Sequence, residues 1–255
     1  MRFDQGLAFV FAESWAFIRR AWWLALLPVL PLFILALAFD YMPTGSAGAL
    51  LLPVSALAAF LKTAAVYWIM RFLVLGHDLR AALTVDRNAA RTFAPYLLAM
   101  TAYNLTPELL AAYISHEDSV SLTYSTFLLI LLSPLFAPWS VTAPSGSATI
   151  GPLRSIQLML PHSIWVIAFM LVLAMLLLVL GTAYVAAEFF VVVFMPDMPD
   201  VQIGQTPLSL LTSGILLAML EAYLNVVLVV AWFVAAHRAG LRAAPPPHRP
   251  APVIG

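Results

Sequence analysis

Six long apolar runs separated by short polar connections dominate the pattern of this chain. The runs cover about residues 22–40, 48–74, 93–114, 122–143, 163–195 and 207–236. Each reaches the roughly 20 residues with which a helix crosses about 30 Å of hydrocarbon. The runs are continuous rather than alternating, and backbone groups inside a bilayer must bond within the protein, so the pattern predicts helices. We therefore predict an all-α polytopic membrane protein with six transmembrane helices.

Three short amphipathic stretches stand before the first, third and fifth runs. They are Gly6–Arg20, Leu79–Thr92 and Ile150–His162, and they recur at a spacing of about 72 residues. Each would lie in the bilayer surface, with its arginines near anionic headgroups. We therefore predict three units, each an interfacial helix followed by a hairpin of two spans. The alternative is that basic amphipathic flanks accompany the hairpins without true repetition.

The composition agrees with a membrane protein and excludes several kinds of function. Of 255 residues, 63% are hydrophobic and 9% are charged, whereas a soluble domain has about 45–50% and about 25%. The formal net charge is zero, which argues against a nucleic-acid partner. The absence of cysteine excludes disulfides, thiolate nucleophiles and cysteine metal sites. We expect membrane lipids as partners and leave other membrane proteins open.

The arginines predict how the chain crosses the membrane. The odd connections hold acidic residues and neither lysine nor arginine, so the positive-inside rule places both termini in the cytoplasm. One lysine and abundant alanine indicate a GC-rich bacterial gene, and we expect the bacterial inner (cytoplasmic) membrane. The eleven arginines lie at the two termini and in the even connections: Arg2, Arg19, Arg20, Arg71, Arg80, Arg87, Arg91, Arg154, Arg238, Arg242 and Arg249.

One membrane domain and one tail make up the predicted organisation. The six-helix domain covers residues 1–242, because each apolar run follows the last across a short connection. From Ala243 the sequence AAPPPHRPAPVIG is rich in proline, so we expect an extended cytoplasmic tail over residues 243–255. A disordered end and a docking peptide are both open for this tail.

Two junctions resemble those of a group of bacterial six-span proteins. Met70–Leu83 (MRFLVLGHDLRAAL), followed by Arg91–Met100, is similar to their second-to-third junction, and Ser133–Ile167 is similar to their fourth-to-fifth. The group includes the membrane domain attached to some glycerophosphodiester phosphodiesterases and the YciC-like inner-membrane proteins, most of unknown function. The resemblance implies the six-span topology. Ile156 replaces the group's tryptophan, and no phosphodiesterase catalytic sequence is found, so that activity is not implied.

Away from the span ends, four ionisable residues fall inside predicted spans: Lys62, Glu108, Glu188 and Glu221. A charge at mid-membrane costs about 2.5–3.5 kcal/mol even on insertion scales, so a functional role is the starting hypothesis. Lys62 lies about 13 residues and Glu221 about 14 residues from the outer ends of their spans, which at ~1.5 Å per residue places both near mid-depth. The other two glutamates fall in the outer third of the membrane.

Amides and small residues accompany these charges on shared helix faces. Asn225 follows Glu221 by one helical turn, and Asn104 precedes Glu108 by one turn. Lys62 shares its face with small residues that let another helix approach closely: Ser55, Ala58, Ala59 and Ala65. The candidate intramembrane polar site therefore comprises Lys62, Glu221, Asn225, Asn104, Glu108 and Glu188.

Two interpretations of this polar site stay open. In the first, Lys62 pairs with Glu221 in a hydrated cavity that opens outward past the other glutamates and binds a polar headgroup or relays protons. In the second, a dry ion pair and hydrogen bonds fix the register of the helices.

Catalytic motifs are missing from the sequence. No Walker loop, HExxH, GxSxG or GxGxxG motif is found in a supporting context, and the histidines lie near span ends or in loops. We therefore expect no catalytic residue, cofactor or metal. The primary hypothesis is a non-enzymatic integral membrane protein that acts as a scaffold or accessory component. The alternative is a small transporter or lipid-handling permease built around Lys62 and Glu221.

Overall fold

The computed structural model describes residues 2–31, 33–34, 46–113, 132–146, 150–176, 179 and 207–241, and every regular element within these ranges is a helix. Three helical stretches among them are long and apolar enough to cross a membrane: Leu52–Val74, Pro152–Leu176 and Ala218–Arg238. The first and third overlap predicted spans two and six, whereas Pro152–Leu176 joins most of the third amphipathic stretch to the first part of predicted span five. Parts of predicted spans one, four and five lie outside the described residues, as do the tail and the side chains of Glu108 and Glu188.

Helix α1 (Phe3–Leu26) joins the first amphipathic stretch to the beginning of span one. It buries one face, on which Gly6, Val10 and Phe17 recur at helical spacing. The backbone leaves helical geometry at Ala21, with φ −143° and ψ 39°. This kink agrees with the predicted boundary between the interfacial helix and the span.

Helix α2 (Ser46–Val74) carries span two and ends in a tight turn. Its stripe of small residues is buried, as their size predicted: Ser55, Ala58, Ala59 and Ala65. Gly76 ends the helix in the left-handed conformation, and the amide of His77 donates to the carbonyl of Phe72 at 2.8 Å. His77 also has a positive φ of 71°, which is uncommon without glycine.

The second amphipathic stretch is broken into two helices. Helix α3 (Leu79–Leu83) has five residues, and the carboxylate of Asp78 accepts from the amide of Ala81 at its beginning. Helix α4 (Arg87–Tyr113) then begins at Arg87, so the helix over predicted span three starts earlier than the apolar run.

Prolines divide the described part of span four into short segments. A 3₁₀ helix (Ser133–Phe136) leads into α5 (Ala137–Thr142), and a second 3₁₀ helix (Ala143–Ser145) follows. Each segment has a proline in its first turn. Because proline has no N–H, it cannot bond to the carbonyl of the preceding turn, and a new segment begins there.

The third amphipathic stretch runs directly into span five. Helix α6 (Pro152–Met159) continues through a 3₁₀ turn (Leu160–His162) into α7 (163–176). Helix α8 (Pro207–Arg238) carries span six. Gly6 allows α1 to pack against these last two helices, because a Cβ at Gly6 would lie 3.1 Å from the Phe169 ring and 3.4 Å from Val234.

The connections meet at one end of the helices, which we call the basic end. Arg20 donates to the carbonyl of His77 at 2.8 Å, and Arg71 donates to the carbonyl of Pro144 at 3.2 Å. The guanidinium of Arg238 lies 5.5 Å from the centre of the Trp165 ring. Residues on either side of each predicted hairpin are therefore in contact.

Candidate functional site

A small cavity lies between α2, α4 and α8, and we call it the Lys62 cavity. Its volume is ≈ 20 Å³, enough for about one water molecule. Most of its wall is apolar, and its polar lining residues are Lys62, Thr63, Tyr96, Asn104, Asn225 and Trp232. Three of the six predicted site residues therefore line one cavity: Lys62, Asn104 and Asn225.

A hydrogen-bonded chain crosses from α4 to α2 beside this cavity. The amide Nδ2 of Asn104 donates to Thr63 Oγ1 at 3.1 Å, and that hydroxyl donates to the carbonyl of Ala59 at 2.9 Å. Thr63 is fully buried, so its hydroxyl needs these partners. The sequence analysis missed Thr63, although its position next to Lys62 on an apolar helix was a usable signal.

The acidic members of the predicted site stand apart from the cavity or outside the described side chains. Glu221 is half-buried on α8, one turn before Asn225, and does not line the Lys62 cavity. The side chains of Glu108 and Glu188 lie outside the described residues. The pairing of Lys62 with Glu221 stays a prediction.

A buried acid–histidine pair at the basic end was not foreseen from the sequence. Glu13 is 8% exposed and its Oε2 contacts Nε2 of His77, which joins α1 to the turn after α2. Glu13 lies between Val10 and Phe17 on the buried face of α1. A carboxylate at that helical spacing was the signal that could have found it. The contacts of His77 with Glu13 and Arg20 offset its unfavourable backbone conformation.

Arg71, which the sequence analysis used only as a marker of topology, joins two connections. Its guanidinium donates to the carbonyls of Ala81 and Pro144, both at 3.2 Å, and lies 5.4 Å from the centre of the Tyr67 ring. Its Nε is buried and has no hydrogen-bond partner within the described part of the chain. Arg71 therefore holds the connections after α2 and α5 together.

A second cavity lies beside this arginine, and we call it the Arg71 cavity. Its volume is ≈ 70 Å³. Its wall combines two polar residues with five apolar ones: Arg71 and Ser145, with Met70, Val74, Leu75, Val141 and Pro144. It is thus larger than the Lys62 cavity and lies nearer the ends of the helices.

The two cavities differ in the chemistry they allow. Amides and a lysine around a space for one water can conduct a proton or fix helix register. An arginine with unused donors can bind an anion. Across the described ranges, no group of three or more His, Asp or Glu side chains is placed to hold a metal ion.

Comparisons of this chain with models of protein families, with curated proteins and with solved structures find no match. Its function is therefore argued from geometry and charge.

Proposed function

We propose that this chain is a multi-pass protein of the bacterial inner membrane that acts as a scaffold or accessory component and catalyses no reaction. The observation that carries the proposal is the basic end, where Arg20, Arg71 and Thr92 tie the connections together. Thr92 Oγ1 donates to the carbonyl of Ala143 at 2.7 Å, and the two arginines donate to carbonyls of other connections. Polar side chains at this end thus donate hydrogen bonds to backbone carbonyls of other connections.

The same contacts support six spans with both termini in the cytoplasm. A chain that contacts itself at Arg20 and His77 must go out and return between them, and the same holds between Arg71 and Pro144. The proximity of Trp165 and Arg238 closes a third excursion. Three out-and-back excursions agree with three hairpins whose connections carry the arginines, which the positive-inside rule places in the cytoplasm.

Aromatic packing makes this end a firm surface for lipids or partner proteins. Phe17 packs edge-on against Phe72 at 5.3 Å, and Phe3 packs edge-on against Phe169 at 5.4 Å between ring centres. Trp15 and Trp22 remain 57% and 60% exposed on α1. Exposed tryptophans beside arginines favour the headgroup region of a bilayer, so membrane lipids are the first partners we propose.

We also propose kinship with the YciC-like group and with the membrane domain attached to some glycerophosphodiester phosphodiesterases. The support is the pair of junction motifs and the arrangement of amphipathic helices before hairpins. No activity is carried over with that kinship.

Single-cysteine labelling tests the topology cleanly, because the chain has no native cysteine. We expect Ser145→Cys to react with a membrane-impermeant maleimide in inverted vesicles and not in intact spheroplasts. Glu117→Cys, in a predicted outer connection, should show the opposite pattern. Labelling of both positions from the same side would contradict three hairpins with one cytoplasmic face.

Purification in mild detergent tests the scaffold role. We expect a membrane protein to co-purify with this chain in a fixed ratio. We expect the Lys62→Met variant to retain the same partner in the same ratio. Thr92→Val, which removes a bond that ties two connections, should reduce that ratio. A chain that purifies alone, with no partner trapped by in-cell crosslinking, would contradict the scaffold proposal.

A second candidate function is a small transporter or permease with a site at Lys62 and Glu221. The cavity that reaches Lys62, Asn104 and Asn225 favours it. The volume of ≈ 20 Å³ is below that of any solute larger than about one water, so this candidate stands second. Proteoliposomes with an enclosed pH dye separate the two. A proton leak through the wild type that Lys62→Met abolishes would support transport. Equal proton permeability of proteoliposomes with the wild type and with Lys62→Met would support the scaffold.

A further inference from the structure

We propose that the Arg71 cavity binds a phosphate group of net negative charge, as in an anionic phospholipid or a free phosphate, at the cytoplasmic ends of α2 and α5. The inference goes beyond the scaffold role, and its lipid source rests on the orientation proposed above. The site is built from a half-buried guanidinium and a cavity of ≈ 70 Å³.

The first argument is the unbalanced charge of Arg71. A guanidinium has five N–H donors, and two of its nitrogens donate here to neutral carbonyl oxygens, at 3.2 Å each. The Nε donor is buried without a partner among the described residues. No carboxylate of those residues lines the cavity. Arg71 is half-buried, and an anion at its unused donors would accept charge-assisted hydrogen bonds.

The second argument is the helix that packs behind the cavity wall. Ala143 accepts from Thr92 at 2.7 Å, and a Cβ at Gly146 would lie 3.1 Å from the amide nitrogen of Ala89. Loop 143–146 therefore lies against the first turns of α4, a helix of 27 residues. No described residue of α4 lines the cavity, so this packing fixes the wall at Pro144 and Ser145.

Charged side chains around this wall agree with an anion. Arg80, Arg87 and Arg91 are exposed on α3 and α4 and raise the local potential. The carboxylates of the same connection, Asp78 and Asp86, are exposed and accept from the amides of Ala81 and Asn88. They thus face the beginnings of helices and not the cavity.

The third argument is the division of the wall into a polar and an apolar part. Arg71 supplies the donors of the polar part, since the hydroxyl of Ser145 donates to the carbonyl of Thr142 at 2.6 Å, and Val74 and Val141 belong to the apolar part. The volume exceeds that of the Lys62 cavity and admits more than about one water. A phosphodiester with an apolar substituent, as in an anionic phospholipid, matches both parts. A soluble phosphate matches the polar part alone.

A pair of substitutions at Ser145 tests the site without altering Arg71. Ser145 is exposed, so both Ser145→Asp and Ser145→Asn should fold. The carboxylate would oppose an anion at Arg71, and the amide of similar size would not. The probes are phosphatidylglycerol, phosphatidylcholine and inorganic phosphate, each titrated into purified protein while thermal unfolding is followed by tryptophan fluorescence.

We expect phosphatidylglycerol to raise the unfolding temperature of the wild type and of Ser145→Asn. Ser145→Asp should bind about tenfold more weakly, as a like charge near the anion implies. Stabilisation by phosphatidylglycerol alone identifies a lipid headgroup, and equal stabilisation by inorganic phosphate identifies a soluble phosphate. Absence of stabilisation by either, a response equal to that of phosphatidylcholine, or equal affinities of the Asp and Asn variants would overturn the site. This assay needs neither a partner protein nor a defined orientation, so its failure would leave the scaffold role standing.

Discussion

Lys62 and Arg71 lie on the same helix, about 13 Å apart along its axis at ~1.5 Å per residue, and they have different surroundings. Lys62 lines a cavity of ≈ 20 Å³ together with two amide side chains from other helices. Arg71 donates to two backbone carbonyls and lines a cavity of ≈ 70 Å³. Lys62 is the chain's single lysine, whereas Arg71 is one of eleven arginines.

The comparison shows that the rarest charged residue type in the sequence, lysine, did not point to the cavity at Arg71. A charge in the middle of an apolar run attracts attention because its transfer from water is costly. A charge at a helix end is not considered a functional candidate, because the positive-inside rule already accounts for its position. In the structure, Arg71 contacts the carbonyls of Ala81 and Pro144 and the ring of Tyr67. If this contrast is correct, polar contacts at the basic end should matter more for stability than amides at mid-helix.

The largest effect is expected for Arg71→Met. The substitution removes two hydrogen bonds from a charged donor and leaves the carbonyls of Ala81 and Pro144 without that partner, so we expect a loss of about 2–4 kcal/mol in the free energy of unfolding. Thermal unfolding in detergent, followed by tryptophan fluorescence, measures it. The matched control is Arg80→Met on the exposed side of α3, which should change stability by less than about 0.5 kcal/mol. Equal losses for both variants would show that Arg71 contributes no more to stability than an exposed arginine does.

The next effect is expected for Thr63→Val, which keeps the shape and removes the hydroxyl. Asn104 would lose its acceptor on α2, so we expect a loss of about 1–2 kcal/mol. Thr106→Val is the control, since the Thr106 hydroxyl bonds to a carbonyl of its own helix and should contribute less than about 0.5 kcal/mol. If both variants lose the same amount, the bond between α4 and α2 contributes nothing specific.

A smaller effect is expected for Glu13→Gln at the basic end. The amide can still bond to His77, but the charge of the pair is lost, and we expect a cost of about 1 kcal/mol. Asp4→Asn on the exposed side of α1 should cost less in the same assay of thermal unfolding, about 0.3 kcal/mol, because it removes only a charge in the first turn of the helix. A cost for Asp4→Asn that matches the cost for Glu13→Gln would show that net charge, and not the contact with His77, is responsible.

The helical nature of the chain followed from its apolar runs, because period and length are local properties of a sequence. Three helical stretches are long and apolar enough to cross a membrane, Leu52–Val74, Pro152–Leu176 and Ala218–Arg238, and the arrangement of six spans stays a prediction. The boundaries were less certain. The amphipathic stretch continues into span five through a 3₁₀ turn that contains Pro161, and extended backbone at Thr84 ends α3 before α4 begins. Such junctions depend on single residues that a hydropathy window averages out.

The candidate site was predictable only in part. Depth counting placed Lys62 and Glu221 at similar levels, but Asn225, one turn from Glu221, lines the cavity with Lys62, and Glu221 does not. Depth counting did not give the rotation of each helix about its own axis. Thr63 was therefore not predicted as a site residue, and Arg71 was used only to predict the orientation of the chain in the membrane. The contacts of Glu13 with His77 and of Arg71 with Pro144 join residues far apart in sequence. Packing between helices decides such contacts, and periodicity within one helix cannot supply it.

The smallest effect is expected for Asn225→Leu, and it is the sharpest test of the contrast. Asn225 lines the Lys62 cavity, and no hydrogen bond joins its side chain to another described residue. Replacing an amide without such a bond by an apolar group of similar size should change the free energy of unfolding by less than about 1 kcal/mol. Asn104→Leu is the matched comparison, because it removes the bond to Thr63 and should cost more. A larger loss for Asn225→Leu would mean that the Lys62 cavity organises the helices more strongly than its direct bonds indicate, and the order of the two sites would be reversed.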